Sequence, residues 1–295
     1  MEIEFFDEKA LLKRIKREDE ITFIFGSALT AKKNGIGIPN VNEIKELAIE
    51  FIKEQDEEDI IDYFSFMEKK SGPDDNEYQK TFSFINSSYG VKFTNEIIRK
   101  AVLQNTDENS NHKIPKTISQ IVDKIKDKTI NVNNIITTNF DTLLEEEFEN
   151  KGIKYNGISI VTDSKINENS NNSINIIHIH GIWNKNDTMH TKTQLNSCRE
   201  KIESSIKNII SKNTIVIMGY GGWNDSFMRS LINLVKDDSS DYNILWCFYE
   251  DDESKIKSNV PFFDSLNDAS SRGRVIFYKG IDCNDFFDKV KKKKI

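Results

Sequence analysis

Six short apolar segments recur along the chain, and each is followed by more polar sequence. They cover residues 21–25 (ITFIF), 134–137 (NIIT), 174–180 (INIIHIH), 214–218 (TIVIM), 243–248 (NILWCF) and 274–278 (RVIFY). Their length and their content of β-branched and aromatic residues are typical of strands. Because they are apolar throughout and do not alternate, we expect strands that are covered on both faces, as in a parallel sheet.

Amphipathic segments with helical periodicity follow the strands, at residues 141–150, 194–211, 224–236 and 284–292. This alternation predicts an α/β fold with a Rossmann-like parallel six-stranded sheet and helices on both faces.

Residues 41–130 interrupt the alternation. They contain helical patterns at 41–53, 59–70, 77–87 and 94–103 but no convincing strand. We therefore predict a single domain over residues 1–295, with a helical insertion or cap subdomain at 41–130 that forms one wall of a cleft. Two further segments, 105–112 and 164–173, are rich in Asn and Ser and are interpreted as loops.

Composition excludes several classes of protein. The chain of 295 residues carries a net charge of −7, so a broad cationic surface for nucleic acid is not expected, although a local basic patch is possible. No apolar run approaches the roughly 20 residues of a membrane helix. The cysteines Cys198, Cys247 and Cys283 form no CxxC pair, which supports neither a zinc knuckle nor a disulfide framework. The sequence thus predicts a reducing, cytoplasmic compartment.

The residues that follow each strand are candidate site residues, because ligands of such sheets bind beyond the carboxyl ends of the strands. After the first strand come Gly26, Ser27, Ala28, Leu29 and Thr30. Small residues here let backbone N–H groups approach a phosphate, and the start of a following helix would favour an anion. The segment lacks both the GxGxxG spacing and the GK[ST] ending of a P-loop, so a tight strand-to-helix turn is the alternative interpretation.

Polar residues also follow the segment 134–137. Asn139 can point its carboxamide into the cleft, and Asp141 is placed to cap the helix predicted at 141–150. The alternative is that both residues serve only as helix caps.

The chain has four histidines, and two of them lie at the end of the segment 174–180. His178 and His180 are two residues apart, so they share a face if both belong to the strand. His180 ends the strand beside Gly181, and an imidazole there can act as a general base near neutral pH. His178 lies deeper and is expected to be a hydrogen-bonded core residue. A two-histidine metal site is an alternative, but no carboxylate or cysteine follows at ligand spacing.

The sequence GYGGWND follows the strand 214–218 and occupies residues 219–225. Its three glycines again permit close approach of the backbone to a ligand. Tyr220 and Trp223 can stack on a base or ribose, or pack in the core, and Asn224 or Asp225 can cap the next helix.

Together these segments resemble the sirtuin-like family of NAD-consuming proteins, and most of all the bacterial sirtuin-like effector domains of anti-phage defence. The matching segments lie in the family's order: GSALT at 26–30 with GIP at 37–39, TNFD at 138–141, HG at 180–181, and GYG at 219–221 with Asp225. The chain departs from the family where it has Gly-Ser-Ala for the usual Gly-Ala-Gly and Gly221 for a common Ser. It also lacks the four zinc-ligating cysteines of protein deacetylases.

The resemblance implies a fold without a zinc module and cleavage of the bond between nicotinamide and ribose in NAD. It implies that Asn139 holds the ribose hydroxyls or the attacking water, and that His180 serves as the catalytic base. NAD is then the substrate, and no metal is implied. The residues implied to bind NAD are Gly26, Ser27, Ala28, Thr30, Pro39, Asp141, Gly219, Tyr220 and Gly221.

The function that the resemblance implies is that of an NAD glycohydrolase (an NAD+ nucleosidase) that acts as an abortive-infection effector by NAD depletion. Such an activity must be controlled, so we expect a homo-oligomer with a regulatory partner, such as a translocase ATPase or a fused sensor domain. We expect neither direct nucleic-acid binding nor a membrane partner. The alternatives are a zinc-free NAD-dependent protein deacylase, a non-catalytic module that binds NAD or ADP-ribose, and a nucleic-acid-binding partner of a defence nuclease, which the net charge disfavours.

Overall fold

The computed structural model of the protein describes residues 3–69, 76–168, 173–185, 187–211, 213–237 and 241–292. Its strands are β1 (Phe5–Phe6), β2 (Ile21–Phe25), β3 (Val132–Thr137), β4 (Tyr155–Ser159), β5 (Ile174–His178), β6 (Thr214–Met218), β7 (Asn243–Cys247) and β8 (Val275–Tyr278). They form one parallel sheet in the order β1-β8-β7-β6-β2-β3-β5-β4. The predicted Rossmann-like parallel sheet is confirmed.

The number of strands differs from the prediction, since the sheet has eight strands and not six. The two additional strands, β1 and β4, lie at its two edges. β1 is only two residues long, and β4 reads YNGIS, with a glycine and no buried residue. An edge strand has one neighbour only, so neither strand needs the continuous apolar sequence that identified the other six.

Helices are found before, between and after the strands. They are α1 (Glu8–Ile15), α2 (Val41–Lys53), α3 (Glu57–Lys69), α4 (Glu77–Ser88), α5 (Val91–Leu103), α6 (Lys116–Lys126), α7 (Leu143–Asn150), α8 (Lys192–Asn196), α9 (Glu200–Ile210), α10 (Ser226–Val235), α11 (Glu253–Lys257), α12 (Val260–Ser271) and α13 (Cys283–Lys289). Within the described ranges, no helix has the length and apolar character needed to cross a membrane.

Both faces of the sheet are covered by helices, as predicted. Successive strand residues point to opposite faces, so Phe23 and Phe25 pack with α1, α6, α7 and α13, whereas Ile24 packs with α9, α10 and α12. The rings of Phe23 and Phe25 stack at 5.0 Å, and Phe287 of α13 meets both of them edge-on. This double burial explains why the inner strands are predominantly apolar.

The helices α2 to α5 form a separate apolar cluster beside the sheet. Phe140, Trp183 and Trp223, which follow β3, β5 and β6, pack against this cluster. The cluster therefore lies at the carboxyl edge of the sheet. Helix α6 also falls within the predicted insertion 41–130, but it packs on the sheet with α7 and α13. The domain boundaries stay a prediction.

Two predicted segments differ locally. The segment 194–211, predicted as one helix, contains a break between α8 and α9 at residues 197–199. At this break, the Arg199 side chain is drawn into the core, where it donates to the Ile179 carbonyl oxygen. The predicted loop 105–112 is irregular apart from an isolated bridge between Thr106 and His112. Parts of two predicted segments lie outside the described residues. They are residue 70 of the helix predicted at 59–70 and residues 169–172 of the loop predicted at 164–173.

Candidate functional site

A cavity of about 290 Å³ lies at the carboxyl ends of the inner strands. The chain leaves β2 toward β3 in its first half and returns to β6 on the other side in its second half, so the cavity lies at the switch point of the sheet. All predicted site residues except Ala28 line it. They are Gly26, Ser27, Thr30, Pro39, Asn139, Asp141, His180, Gly219, Tyr220 and Gly221.

The turns after β2 and β6 approach each other so closely that both require glycine. A Cβ atom on Gly26 would lie 2.4 Å from the Gly219 carbonyl oxygen. Gly219 itself has φ +66°, and a Cβ atom there would lie 2.9 Å from the Ala28 Cβ. Ala28 therefore packs against the Gly219 turn, which explains why a small residue is needed there even though Ala28 does not line the cavity.

The segment after β2 does not enter an α-helix directly, contrary to the prediction. Residues Ser27–Leu29 form a single 3₁₀ turn, and the next α-helix, α2, begins at Val41. The backbone N–H groups of Gly26 and Ala28 already donate to the carbonyl oxygens of Met218 and Gly219, at 3.2 and 3.4 Å. The phosphate cradle predicted from this segment thus has fewer free N–H groups than the sequence suggested.

We expect Gly219→Ala to lower the free energy of unfolding by about 1–3 kcal/mol more than Gly273→Ala does. Both glycines have positive φ, +66° and +71°, so both substitutions carry the same backbone strain. Only at position 219 does the added methyl group meet another atom, because nothing lies within 4 Å of the position at Gly273. Urea denaturation of both variants measures the difference, and equal losses would contradict the close approach.

Asn139, Thr30 and Asp141 form one buried hydrogen-bond chain in the cavity wall. The Asn139 carboxamide Nδ2 donates to Thr30 Oγ1 at 3.0 Å, and Thr30 Oγ1 donates to Asp141 Oδ2 at 2.8 Å. Burial raises the pKa of Asp141 to about 6, although the Thr30 hydroxyl and the nearby His178 act in the opposite direction. This carboxyl therefore becomes charged only as the pH approaches neutrality.

Asp141 is not the N-cap residue of the helix that follows it, contrary to the prediction. Helix α7 begins at Leu143, and its N-cap residue is Thr142. Asp141 Oδ1 still accepts the Leu143 N–H at 3.3 Å. Asp141 thus supports both the helix start and Thr30.

His178 is a hydrogen-bonded core residue, as predicted, and it contacts the backbone of Asn139. His178 Nδ1 is 2.8 Å from the Asn139 carbonyl oxygen, and His178 Nε2 is 2.7 Å from Glu145 Oε1 on α7. Burial lowers the pKa of His178, but the Glu145 carboxylate and the Asn139 carbonyl outweigh burial and raise it above its usual value. The imidazole can therefore donate from both nitrogens.

The two histidines do not share a face, contrary to the prediction. Strand β5 ends at His178, and the chain turns at residues 179–180 before Gly181, which has φ +86°. His178 therefore contacts α7 on one side of the sheet, whereas His180 Nε2 lies 3.4 Å from Asp225 Oδ2 at the start of α10 on the other side. Asp225 is the N-cap of α10, as one of the two predicted alternatives.

The sequence did not identify several residues of the site. Tyr78 of α4 and His190 line the cavity, and the Tyr78 hydroxyl is 2.6 Å from His190 Nδ1. Burial lowers the pKa of His190 to about 3, so this imidazole stays neutral. Trp223, already noted beside the glycines, packs against Tyr78. A polar pair between an insertion helix and a distant loop leaves no local signal in the sequence.

Two acidic side chains, Asp141 and Asp225, line the cavity, and the described lining residues include no lysine or arginine. In the described part of the chain, no three His, Cys, Asp or Glu side chains lie close enough to hold a metal ion. The cysteines are free, and Cys198 is exposed whereas Cys247 and Cys283 are buried. The polar side chains among the described residues that line the cavity are thus acidic or neutral.

Solved Sir2 structures show similarity over most of the chain. A mutant Sir2 homologue in complex with ADP-ribose is 11% identical, with a TM-score of 0.48, and the match covers 97% of this chain and 95% of that chain. A Sir2 homologue in complex with NAD is 12% identical, with a TM-score of 0.45 and coverage of 98% and 94%. No curated protein matches the chain.

A family model described as the SIR2-like domain matches residues 133–268. The matched segment contains Asn139, His180 and Asp225 and extends from β3 into α12. The predicted sirtuin-like family is confirmed, whereas the subtype of anti-phage effectors stays a prediction. The chain therefore carries a SIR2-like domain at residues 133–268, the segment that this family model matches.

Proposed function

We propose that the protein hydrolyses NAD to nicotinamide and ADP-ribose. A SIR2-like domain indicates an NAD-utilising activity. That this activity is the hydrolysis of NAD is the more specific part of the proposal. The observation that carries it is that Asn139 and His180, the two predicted catalytic residues, line one cavity. The cavity lies at the switch point of a parallel sheet, where folds of this kind bind nucleotides.

The charges around the cavity favour the departure of nicotinamide. Breaking the bond between the cationic nicotinamide ring and ribose develops positive charge on the sugar, as in glycoside hydrolysis. Asp141 and Asp225 are held in the cavity wall, and no cationic lysine or arginine is among the described residues that line it. Such fixed negative groups stabilise the oxocarbenium-like transition state without having to reorganise.

In the proposed mechanism, Asn139 holds the ribose or the attacking water, and His180 accepts a proton from that water. The water oxygen bonds to C1′ of the ribose while the bond from C1′ to nicotinamide breaks, and the electron pair of that bond leaves with nicotinamide. The turn that contains Ser27 contacts the pyrophosphate, and the turn at 219–221 faces the adenine ribose.

We propose NAD depletion in a phage-infected cell as the biological role, in the cytoplasm. Uncontrolled hydrolysis of NAD would kill the host, so the activity requires a control that acts on this chain. A homo-oligomer with a regulatory partner, such as a translocase ATPase or a fused sensor domain, supplies that control in the proposal.

The test is incubation of NAD with the purified protein, alone and assembled with the products of neighbouring genes, followed by chromatography. We expect equal amounts of nicotinamide and ADP-ribose from the active assembly. NAD that stays intact in every assembly state would contradict the proposal, and bound but uncleaved NAD would indicate a binding module. Adding an acylated peptide separates the deacylase alternative, because only a deacylase produces acyl-ADP-ribose.

A further inference from the structure

Two polar atoms that face each other in the cavity wall have no hydrogen-bond partner in the described part of the chain. They are His180 Nε2 and Asp225 Oδ2, which lie 3.4 Å apart. His180 is 6% exposed and Asp225 is fully buried. An unpaired buried carboxylate oxygen is costly, so a pair of this kind calls for a functional explanation.

The backbone around both residues is firmly held. Asp225 Oδ1 accepts the Met228 N–H at 3.0 Å and so caps helix α10. On the other side, the Arg199 guanidinium donates to the carbonyl oxygen of Ile179, the residue before His180, at 2.9 and 3.0 Å. The cap leaves Asp225 Oδ2 as the oxygen that faces the imidazole.

We propose that Asp225 is the positioning residue for His180, and that its Oδ2 accepts the Nε2–H of the imidazole. This inference rests on the proposed NAD hydrolysis. With the proton on Nε2, the unprotonated nitrogen is Nδ1, which takes the proton of the attacking water. The resulting imidazolium is stabilised by Asp225 until the proton passes to solvent. Hydrogen bonds between catalytic groups are often long without substrate and shorten when it binds.

The other polar groups around His180 do not compete for this role. Both ring nitrogens of His190 are already engaged, because Nδ1 is 2.6 Å from the Tyr78 hydroxyl and Nε2 is 2.6 Å from the Thr188 hydroxyl. The Tyr220 hydroxyl donates to the Trp223 carbonyl oxygen at 3.0 Å, and burial together with Asp225 raises its pKa well above the usual value. Arg199 carries a positive charge and cannot accept a proton. Asp225 is therefore the group that can hold the imidazole proton.

The substitution Asp225→Asn tests the proposal, because asparagine caps a helix as well as aspartate does. We expect kcat for NAD cleavage to fall about 10²-fold, with KM changed less than about threefold. The matched control is Asp252→Asn, which alters the N-cap of α11 in the same way and leaves activity unchanged. In a His180→Ala background, Asp225→Asn has no further effect if the two residues act as a unit. Wild-type kcat in Asp225→Asn would overturn the proposal.

A measurement without turnover separates this inference from the proposed function. In Asp225→Asn, Oδ1 keeps the Met228 N–H, so the amide Nδ2 replaces Oδ2 opposite His180 and donates to Nε2. Nitrogen NMR of histidine-labelled protein, with His180 assigned from His180→Ala, then shows the Nε2–H tautomer in the wild type and the Nδ1–H tautomer in the variant. The same tautomer in both proteins would overturn the inference even if NAD is cleaved, and the expected switch supports it even if NAD is not cleaved. If Asp225→Asn does not fold, Asp225→Ser replaces it in these experiments, because serine also caps a helix.

Discussion

Replacing Asn139 by alanine is expected to lower kcat for NAD cleavage about 10³-fold, or about 4 kcal/mol of activation free energy, with little loss of stability. The substitution removes the carboxamide that donates to Thr30 Oγ1 at 3.0 Å and lines the cavity. The backbone contacts of residue 139 persist, because its N–H donates to Thr137 Oγ1 and its carbonyl oxygen pairs with His178. The measurement is the rate of nicotinamide release at saturating NAD, together with thermal unfolding.

Two further variants make the Asn139 experiment specific. Asn133→Ala makes the same change within β3, the strand that precedes Asn139, at an exposed position away from the cavity, and is expected to keep full activity. Asn139→Asp keeps the shape but replaces the amide donor by an acceptor, which leaves the Thr30 hydroxyl between two carboxylates. We expect Asn139→Asp to be nearly as inactive as Asn139→Ala. Full activity in either Asn139 variant would exclude the proposed mechanism.

The predictable part of the fold is its centre. Strands β2 and β6 coincide with the segments predicted at 21–25 and 214–218, because they are buried on both faces and so carry continuous apolar sequence. The edge strands β1 and β4 were missed, since a short or half-exposed strand needs no such pattern. The break between α8 and α9 was missed for another reason: Arg199 leaves the helix to reach Ile179, and periodicity does not report a contact across the fold.

The predictable part of the site is the set of residues that follow the strands. Asn139 and His180 were identifiable because the order of strand ends along the chain determines which short motifs meet at the carboxyl edge. Glu145 was not identifiable, because it is the first of three consecutive glutamates of α7 and its buried partner, His178, lies on strand β5. Tyr78 was missed because the relative position of the insertion helices and the sheet is set by packing, which short motifs do not encode.

Substitution of Glu145 by glutamine is expected to lower the free energy of unfolding by about 3–5 kcal/mol, the loss typical of breaking a buried ion pair. Glu145 is 6% exposed and lies 2.7 Å from His178 Nε2. Removing its charge leaves the buried His178 without the carboxylate that contacts Nε2. Because His178 Nδ1 also holds the Asn139 carbonyl oxygen at 2.8 Å, NAD cleavage is expected to fall as well.

The controls for Glu145→Gln separate the ion pair from the helix that carries it. Glu149→Gln, at an exposed position of the same helix, is expected to have little effect on stability. The double variant Glu145→Gln/His178→Gln replaces the ion pair by a neutral pair, so its loss of stability is expected to be smaller than the sum of the two single losses. Additive losses would show that the two side chains are not coupled.

The loss of stability in Glu145→Gln is expected to depend on pH. In the wild type, the Glu145 carboxylate raises the pKa of His178 above 6.5, so the stability that the imidazolium contributes is complete below pH 6.5 and is lost as the pH rises through the raised pKa. In Glu145→Gln, we expect burial to outweigh the Asn139 carbonyl and Asp141 and to lower the pKa of His178, so that acidification through pH 6.5 destabilises the protein. The difference in unfolding free energy between the two proteins should therefore grow from pH 7.5 to pH 5.5 in urea denaturation. The pKa of Asp141, about 6, adds a pH dependence of its own, so both proteins are also compared in an Asp141→Asn background. A difference that shrinks on acidification would show that His178 is neutral in the folded wild type.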